Sequence, residues 1–408
     1  MRADGRAAAY GRRVKPMFHA RRAVNRTLRA VAAPLATGRA DYLTVWPPPE
    51  SRRSLSDVAA RVNWYLPNLA IPVHVPTRAD LALDAESVPY LDPSLVHIRG
   101  WTADRPAGRP WYLLPDVRPT TIARAGARLR RSAVVDPNLS LTSEYLGYRR
   151  VHAALTASVP VTGKAFGAFL DATPRGRDAF VLGTGPSAGL VDPASVTADV
   201  RIVCNSTVRN AELIARLQPT VIVCADPVFH FGPSRYAATF REDLARALDL
   251  CDAFVVTGEY FAALLEAHYP RIARRVVPVA FAGSLNIPTA TDPRVSDSGN
   301  ILTLLMLPLA FALADVVDVA GCDGRRPSEN YFWQHSPLTQ YSDELMQTVF
   351  DAHPSFFRHR SYTDYYERHC QLLEELISLG ESRGKQVRGV TPSWIPALAR
   401  RGAPVPAA

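Results

Sequence analysis

The sequence predicts an α/β protein with a doubly wound, mostly parallel β-sheet and an additional small α/β region on its N-terminal side. From residue 165 to 395, short apolar stretches alternate with amphipathic, helix-like stretches. Several apolar stretches run directly into glycine or a short polar residue, as strands do where they end in a turn. Strands that alternate with helices form parallel sheets covered on both faces. The predicted main sheet is therefore Rossmann-like.

The order of these stretches predicts the elements of the main region. The predicted strands cover residues 179–182, 200–204, 220–224, 253–257, 276–280, 316–320 and 386–390. The predicted helices cover residues 210–217, 235–250, 260–269, 299–314 and 363–379.

A smaller region precedes this one and carries no catalytic motif, so its role stays open. Its predicted strands cover residues 42–46, 71–75, 95–98 and 111–114, and its predicted helix covers 54–66. The predicted domains are a basic leader at 1–39, the small α/β region or irregular cap at 40–150, the Rossmann-like main domain at 165–395 and a flexible tail at 396–408.

The net positive charge of the chain is concentrated in the leader. Residues 1–39 hold ten Lys or Arg residues and one acid, Asp4, which gives +9, and the remainder is formally neutral. Four apolar residues between the arginines fall roughly on one helical face: Phe18, Val24, Leu28 and Val31. Two interpretations stay open, a helix on an anionic membrane surface and a disordered leader. Neither predicts a nucleic-acid partner.

The compartment is predicted from the cysteines and the apolar runs. The five cysteines are scattered without C-x-x-C spacing, which predicts reduced core residues and no disulfide framework or zinc site. No apolar segment typical of a secretory signal follows the early arginines. The longest apolar run, residues 301–314, is shorter than the roughly 20 residues that span a bilayer. We therefore expect a cytoplasmic protein, and its oligomeric state stays open.

A glycine-rich turn follows the first predicted strand of the main region. It reads Gly183-Thr184-Gly185-Pro186-Ser187, with glycines where the backbone turns tightly and proline in the predicted first helical turn. Because free N–H groups at a helix start bind anions, the turn predicts a nucleotide or phosphate site. It matches neither G-x-G-x-x-G nor a P-loop, so a tight turn without a ligand stays open as an alternative.

Other predicted strands also end in polar or glycine-rich residues. These are Asn205-Ser206, Asp226-Pro227 and residues 321–324. Because the carboxyl ends of parallel strands lie at one edge of the sheet, ligands bind there. The sequence therefore predicts one shared crevice.

In order and spacing, these clusters resemble motifs of the bacterial sialyltransferases that build lipooligosaccharide caps, and of the related motility accessory factors. The resemblance covers residues 180–394. Residues 180–187 are similar to the family's G-N-G-P-S turn, and Val203-Cys204-Asn205 to its second-strand C-N. Residues 294–299 are similar to R-I-T-S-G with one insertion, and 321–323 to G-I-D. Residues 359–364 match H-x-x-x-T-D, and 390–393 resemble the closing C-P-N-S.

The resemblance implies a role for each matching residue. The implied nucleotide-sugar-binding residues are Gly183, Thr184, Gly185, Pro186, Ser187, Asn205, Ser206, Ser298, Gly299, Gly321 and Asp323. His359 is the implied general base, Tyr331 the implied phosphate contact, and Arg294 a clamp for a carboxylate or phosphate. The chain departs from the family at Thr184, which replaces an asparagine, and near Arg325 and Arg326, which stand where a tyrosine is expected. Because arginine pairs well with phosphate, we include both arginines in the predicted donor site.

Each of these residues also has a structural interpretation that the sequence leaves open. For His359 and Arg294, the alternative is an exposed surface position without a ligand. For Asn205, the alternative is a purely structural role in a turn. For Tyr331, the alternative is a side chain packed in the protein interior. For Asp323, it is a structural role in which the carboxylate holds the loop at the strand end.

Sugar transfer from a nucleotide needs a stabilised leaving phosphate and a base for the acceptor hydroxyl. The chain has no Asp-x-Asp, which holds the metal in many glycosyltransferases. This absence predicts a metal-independent transfer with no cofactor beyond the donor. The resemblance implies an inverting glycosyltransferase whose donor is a CMP-linked nonulosonic acid and whose acceptor is a surface glycan or glycolipid. Two alternatives stay open, a Mg²⁺-dependent phosphotransferase like the pterin diphosphokinases and a non-catalytic nucleotide-binding protein.

Overall fold

The computed structural model describes residues 40–77, 81–98, 100–118, 120, 124, 126–139, 143–155, 163–325, 339–355 and 362–402. The chain divides into two compact units. Unit 1 comprises Met1–Val159 with His353–Arg358, and unit 2 comprises Pro160–Ala352 with His359–Ala408. The predicted leader, residues 1–39, lies outside the described residues.

Unit 1 is built on a sheet of five parallel strands. The strands are β1 (Tyr42–Val45), β2 (Val73–His74), β3 (Trp101–Thr102), β4 (Pro110–Leu114) and β5 (Ser132–Val134). Their order is β3-β2-β1-β4-β5, so β1 is central and the winding of the chain reverses between β1 and β4.

Two α-helices in the described part of unit 1 are α1 (Arg52–Tyr65) and α2 (Ser143–Leu155). α1 begins at Ser51, whose hydroxyl accepts the N–H of Ser54 at 3.1 Å, while the Ser54 hydroxyl accepts the N–H of Ser51 at 3.0 Å. This reciprocal capping box satisfies two N–H groups that a helix start leaves unpaired.

A buried charge network stabilises unit 1. The Arg61 guanidinium, 2% exposed, donates to Asp57 at 2.7 Å and to Glu144 at 2.6 Å. His353 Nδ1 lies 3.2 Å from the second oxygen of Glu144. The network thus includes a residue from the segment His353–Arg358, which the chain contributes to unit 1 from far along the sequence.

Unit 2 is built on a second sheet, of eight parallel strands. The strands are β6 (Asp178–Leu182), β7 (Val200–Cys204), β8 (Val221–Val223), β9 (Phe254–Gly258), β10 (Val276–Ala282), β11 (Arg294–Ser296), β12 (Val316–Ala320) and β13 (Gln386–Gly389). Their order is β11-β10-β9-β8-β7-β6-β12-β13.

The α-helices of unit 2 connect these strands. They are α3 (Gly163–Ala172), α4 (Ala211–Leu217), α5 (Arg235–Leu250), α6 (Glu259–His268), α7 (Leu307–Leu313), α8 (Asp343–Ala352), α9 (Tyr362–Glu381) and α10 (Pro396–Ala399). Val181 and Val317 belong to one apolar cluster with residues of α3, α7 and α9. Phe180 and Leu182 are also buried and point to the opposite face, because strand side chains alternate. The sheet is therefore buried on both faces.

A π-helical turn, Leu302–Met306, leads into α7. Pro308 has no N–H to donate, and its ring crowds the carbonyl of Leu304, four residues earlier. A wider turn accommodates both restrictions. Asn300 fixes the start of this helix, because its carboxamide oxygen accepts the N–H of Leu302 at 3.0 Å.

The predicted fold class is confirmed, since both sheets are parallel and the main one is doubly wound and Rossmann-like. The strand predicted at 95–98 is wrong, because Asp92 caps a 3₁₀ turn at Pro93–Leu95 instead. The residues predicted as a flexible tail begin with the ordered helix α10. Within the described ranges, no helix is long and apolar enough to cross a membrane.

Candidate functional site

The strand order of unit 2 creates a crevice between β6 and β12. From β6 the chain adds β7 to β11 on one side and then returns to add β12 and β13 on the other. Parallel sheets bind ligands at the carboxyl ends of the strands where the winding reverses in this way. A cavity of about 20 Å³ lies there, with room for about one water molecule. Five predicted donor-site residues line it: Gly183, Thr184, Gly185, Gly321 and Asp323.

Glycines allow the turn after β6 to approach the loop after β12. A Cβ atom on Gly183 would lie 2.4 Å from the carbonyl oxygen of Gly321, and one on Gly185 would lie 2.1 Å from a carboxylate oxygen of Asp323. Gly321 has a φ of 64°, in the left-handed region that glycine adopts without strain. The N–H of Gly185 donates to the Gly321 carbonyl at 2.8 Å, so the two segments are directly bonded.

The predicted anion site at this turn holds the protein's own carboxylate. The N–H of Ser187 donates to Asp323 Oδ1 at 3.0 Å, and the Ser187 hydroxyl donates to Oδ2 at 2.8 Å. Pro186 begins a single 3₁₀ turn, Pro186–Leu190, and has no N–H. Burial raises the pKa of Asp323, although its hydrogen bonds with Ser187 act in the opposite direction. A phosphate would have to displace this carboxylate, whereas a hydrogen-bond donor would not.

Residues near the C-terminus close the crevice. Thr391 Oγ1 accepts the N–H of Gly321 at 3.0 Å and lies 2.9 Å from Ser187 Oγ. The Ser393 hydroxyl donates to the carbonyl of Cys322 at 2.7 Å. The closing motif of the sequence therefore meets both the glycine turn and the loop after β12.

Asn205, directly after β7, carries a polar atom without a partner. Its backbone is left-handed, with φ of 51°. Its Oδ1 is buried and has no hydrogen-bond partner among the described residues, and the same holds for Oγ1 of Thr207. Ser206, between them, is 7% exposed. Buried acceptors without donors are uncommon and costly, so this turn is a place where a ligand or water fits.

Arg325 borders the loop after β12 and stacks on Tyr366, with its guanidinium 4.8 Å from the ring centroid. Its Nη1 is buried and lacks a hydrogen-bond partner within the described ranges. Ser298 Oγ lies 2.8 Å from Thr303 Oγ1, and Gly299 has a φ of 73°. Ser298 and Gly299 therefore form the turn directly before the helical segment that lines the cavity.

Arg294 lies apart from the other predicted residues. It begins the edge strand β11, is exposed, and pairs with Asp292 at 2.5 Å. It is absent from the described residues that line the cavity. The structure therefore gives Arg294 a carboxylate partner of its own.

Tyr331, Arg326 and His359 lie outside the described residues. Two neighbouring histidines are described and buried. His353 belongs to the charge network of unit 1, and His369 lies in α9, where burial lowers its pKa to about 4. A general base must reach the acceptor hydroxyl, which a buried side chain does not. Neither neighbour therefore replaces His359 as the candidate base.

The sequence did not predict the apolar and thiol part of the cavity lining, which comprises Cys204, Cys322, Ile301, Leu302, Met306 and Ile395. Burial raises the pKa of Cys322 to about 12, so its thiol is protonated at neutral pH. The sequence feature that could have predicted this apolar lining is the apolar helical stretch that begins directly after Ser298-Gly299. Among the described residues, no group of His, Cys, Asp or Glu is placed to hold a metal ion.

Comparisons with models of protein families, with curated proteins and with solved structures gave no match for this chain. The functional conclusion therefore rests on the crevice and its residues.

Gly185→Ala is expected to destabilise unit 2 by about 1–3 kcal/mol, because the new methyl group overlaps the Asp323 carboxylate. Gly189→Ala is the matched control, since a Cβ there has no neighbour within 4 Å. Equilibrium urea unfolding measures both variants. Equal stabilities would contradict the close approach of the two segments.

Acid is expected to destabilise unit 2 through two histidines. Burial lowers the pKa of His230 and of His369 to about 4, below the roughly 6.5 of an unfolded chain. Their contribution is complete above pH 6.5 and is lost as the pH falls towards 4, by about 3 kcal/mol for each. Urea unfolding between pH 7 and 4.5 should show a weaker pH dependence in His369→Leu. An unchanged dependence would contradict the neutral, buried state of His369.

Proposed function

We propose that the protein is an inverting, metal-independent glycosyltransferase whose donor is a CMP-linked nonulosonic acid and whose acceptor is a surface glycan or glycolipid. The observation that carries the proposal is the crevice of unit 2. There the glycine turn 183–187 and the loop 321–323 meet between β6 and β12, where parallel sheets bind ligands.

The chemistry of the crevice suits a nucleoside. The apolar side chains of Leu302 and Met306 offer a surface for a planar base. The Asp323 carboxylate accepts hydrogen bonds from a ribose hydroxyl or a base amino group. Asn205 Oδ1 is a second acceptor, and it lacks a donor among the described residues. Because the cavity is smaller than a nucleotide, binding requires the segments after β6 and β12 to separate.

In the transfer step we assign roles to His359, Arg325, Tyr331 and Arg326. The acceptor hydroxyl loses its proton to His359, and its oxygen bonds to the anomeric carbon as the bond from that carbon to the phosphate oxygen breaks. CMP leaves with the bonding electron pair, and the configuration inverts. Arg325, with its unpaired buried Nη1, stabilises the leaving phosphate together with Tyr331 and Arg326. The enzyme would work in the cytoplasm, held at the inner membrane face by residues 1–39.

One observation favours a second candidate, a non-catalytic nucleoside-binding protein. Asp323 occupies the N–H group of Ser187 that a phosphate would use, so the turn favours a ligand without an anion at that point. The two candidates differ in turnover, which a transfer assay measures.

A thermal-shift screen tests the proposal first, because a ligand that binds the folded state raises its melting temperature. We expect CMP to stabilise the protein with or without EDTA, and UDP, GDP, ADP and ATP to have smaller effects. Asn205→Gly should remain folded, since glycine suits the left-handed backbone, and should weaken CMP binding roughly 3- to 10-fold.

Asn68→Gly is the matched control, because Asn68 also has a left-handed backbone but lies in unit 1. A shift seen with a purine nucleotide and Mg²⁺ alone would replace the glycosyltransferase with a phosphotransferase. Equal CMP affinity in both variants would remove Asn205 from the donor site.

His359→Ala is expected to lower the rate of transfer from a CMP-sugar by about 100-fold or more, because the general base is lost. CMP binding should stay unchanged, since the base contacts the acceptor. His97→Ala, at an exposed position of unit 1, is the control. Transfer at the normal rate in His359→Ala would refute the assignment of the base.

A further inference from the structure

Unit 1 has a reversal of winding of its own. β1 is central, β2 and β3 lie on one side of it, and β4 and β5 lie on the other. The carboxyl ends of β1 and β4 are therefore the position at which such a sheet binds a ligand. The proposed donor site lies in unit 2 and leaves this position unassigned.

Two aromatic rings and one arginine lie close to one another beside this position, although only Trp46 is at the end of a strand. Trp46 follows β1 directly, and Tyr112 lies in β4. The guanidinium of Arg128 is 5.4 Å from the Trp46 ring centroid and 6.0 Å from that of Tyr112. Both rings are only partly buried, and they rest on a small apolar cluster formed by Leu114, Val117 and Leu139. The cluster supports the rings, and the electron-rich ring faces attract the guanidinium.

The surrounding segment is strongly basic. Residues 118–131 contain five arginines and no acid. Arg118 is neutralised by Asp116 at 2.6 Å, but none of the described carboxylates pairs with Arg128. Besides lying over the two rings, its guanidinium donates to the carbonyl of Arg124 at 3.4 Å. The side chains of Arg124 and Arg128 are both exposed, so an anion can approach them.

The chemistry of this cluster defines the ligand. A guanidinium is planar and presents its N–H groups as a fork that binds two phosphate oxygens at once. The partly exposed rings beside it offer an apolar surface against which the face of a sugar ring packs. We propose that unit 1 binds a phosphorylated sugar at the carboxyl ends of β1 and β4, with Arg128 on the phosphate and Trp46 and Tyr112 on the ring.

This second site goes beyond the proposed donor site. The binding of a sugar phosphate in unit 1 does not rest on the proposed function. The two are separable, because CMP binding reports on unit 2 and sugar-phosphate binding reports on unit 1.

Isothermal titration calorimetry of the full chain tests the inference, with glucose 1-phosphate, inorganic phosphate and methyl glucoside as probes. We expect glucose 1-phosphate to bind, inorganic phosphate to bind more weakly, and methyl glucoside to give no signal. Arg128→Gln should weaken binding of glucose 1-phosphate about tenfold or more, since a charge-assisted, bidentate contact is lost. Arg149→Gln, an exposed position on α2, should bind like the wild type.

Three results would overturn the inference. They are the absence of binding by either phosphate, equal affinity in Arg128→Gln and the wild type, and equal affinity for inorganic phosphate and glucose 1-phosphate. The far-UV circular dichroism and the ligand-free melting curve of Arg128→Gln should match those of the wild type, which shows that the variant is folded, and its CMP-induced thermal shift should also be the same. Loss of that shift in the wild type as well would count against the proposed function and leave the sugar-phosphate site intact.

Discussion

The carboxylate of Asp323 bound to the N–H and hydroxyl of Ser187 is the constraint on which the crevice of unit 2 depends. It joins two segments that lie 136 residues apart in sequence. Thr391 extends the connection to the C-terminal segment. Glycine is needed at 183 because a Cβ there would overlap the Gly321 carbonyl, and at 185 because a Cβ there would overlap the Asp323 carboxylate. The same carboxylate gives the crevice its character, since it accepts hydrogen bonds and repels anions.

Because of this constraint, different parts of unit 2 are suited to the two tasks of a nucleotide site, which are to bind the nucleoside and to bind the phosphate. The crevice provides acceptors and apolar surface for a nucleoside, while positive charge lies outside the cavity lining at Arg325. In unit 1 the arrangement is different, because its cationic group, Arg128, is exposed and stacked on aromatic rings. The same topological rule therefore indicates two positions of different chemistry, one in each unit.

The fold class was predictable because the central strands, such as Val316–Ala320, are long enough to show an apolar pattern. Edge strands of two or three residues, such as Trp101–Thr102, leave no pattern and were missed. The meeting of Gly183 with Gly321 followed from the rule on strand ends. The bond from Ser187 to Asp323 did not, because it depends on loop conformations. The basic segment 118–131 was not recognised, because the chain beyond the leader is formally neutral when its charges are summed over its whole length.

Hydrogen–deuterium exchange of the full chain with and without CMP is the most direct test of the central claim, that the crevice of unit 2 binds the nucleotide. Binding there should slow exchange at residues 183–187, 204–207 and 321–325 and leave the strands of unit 1 unchanged. Because Asp323 must give up or reorganise its contact with Ser187, the first of these segments should respond most strongly. Protection confined to unit 1, or none at saturating CMP, would contradict the account.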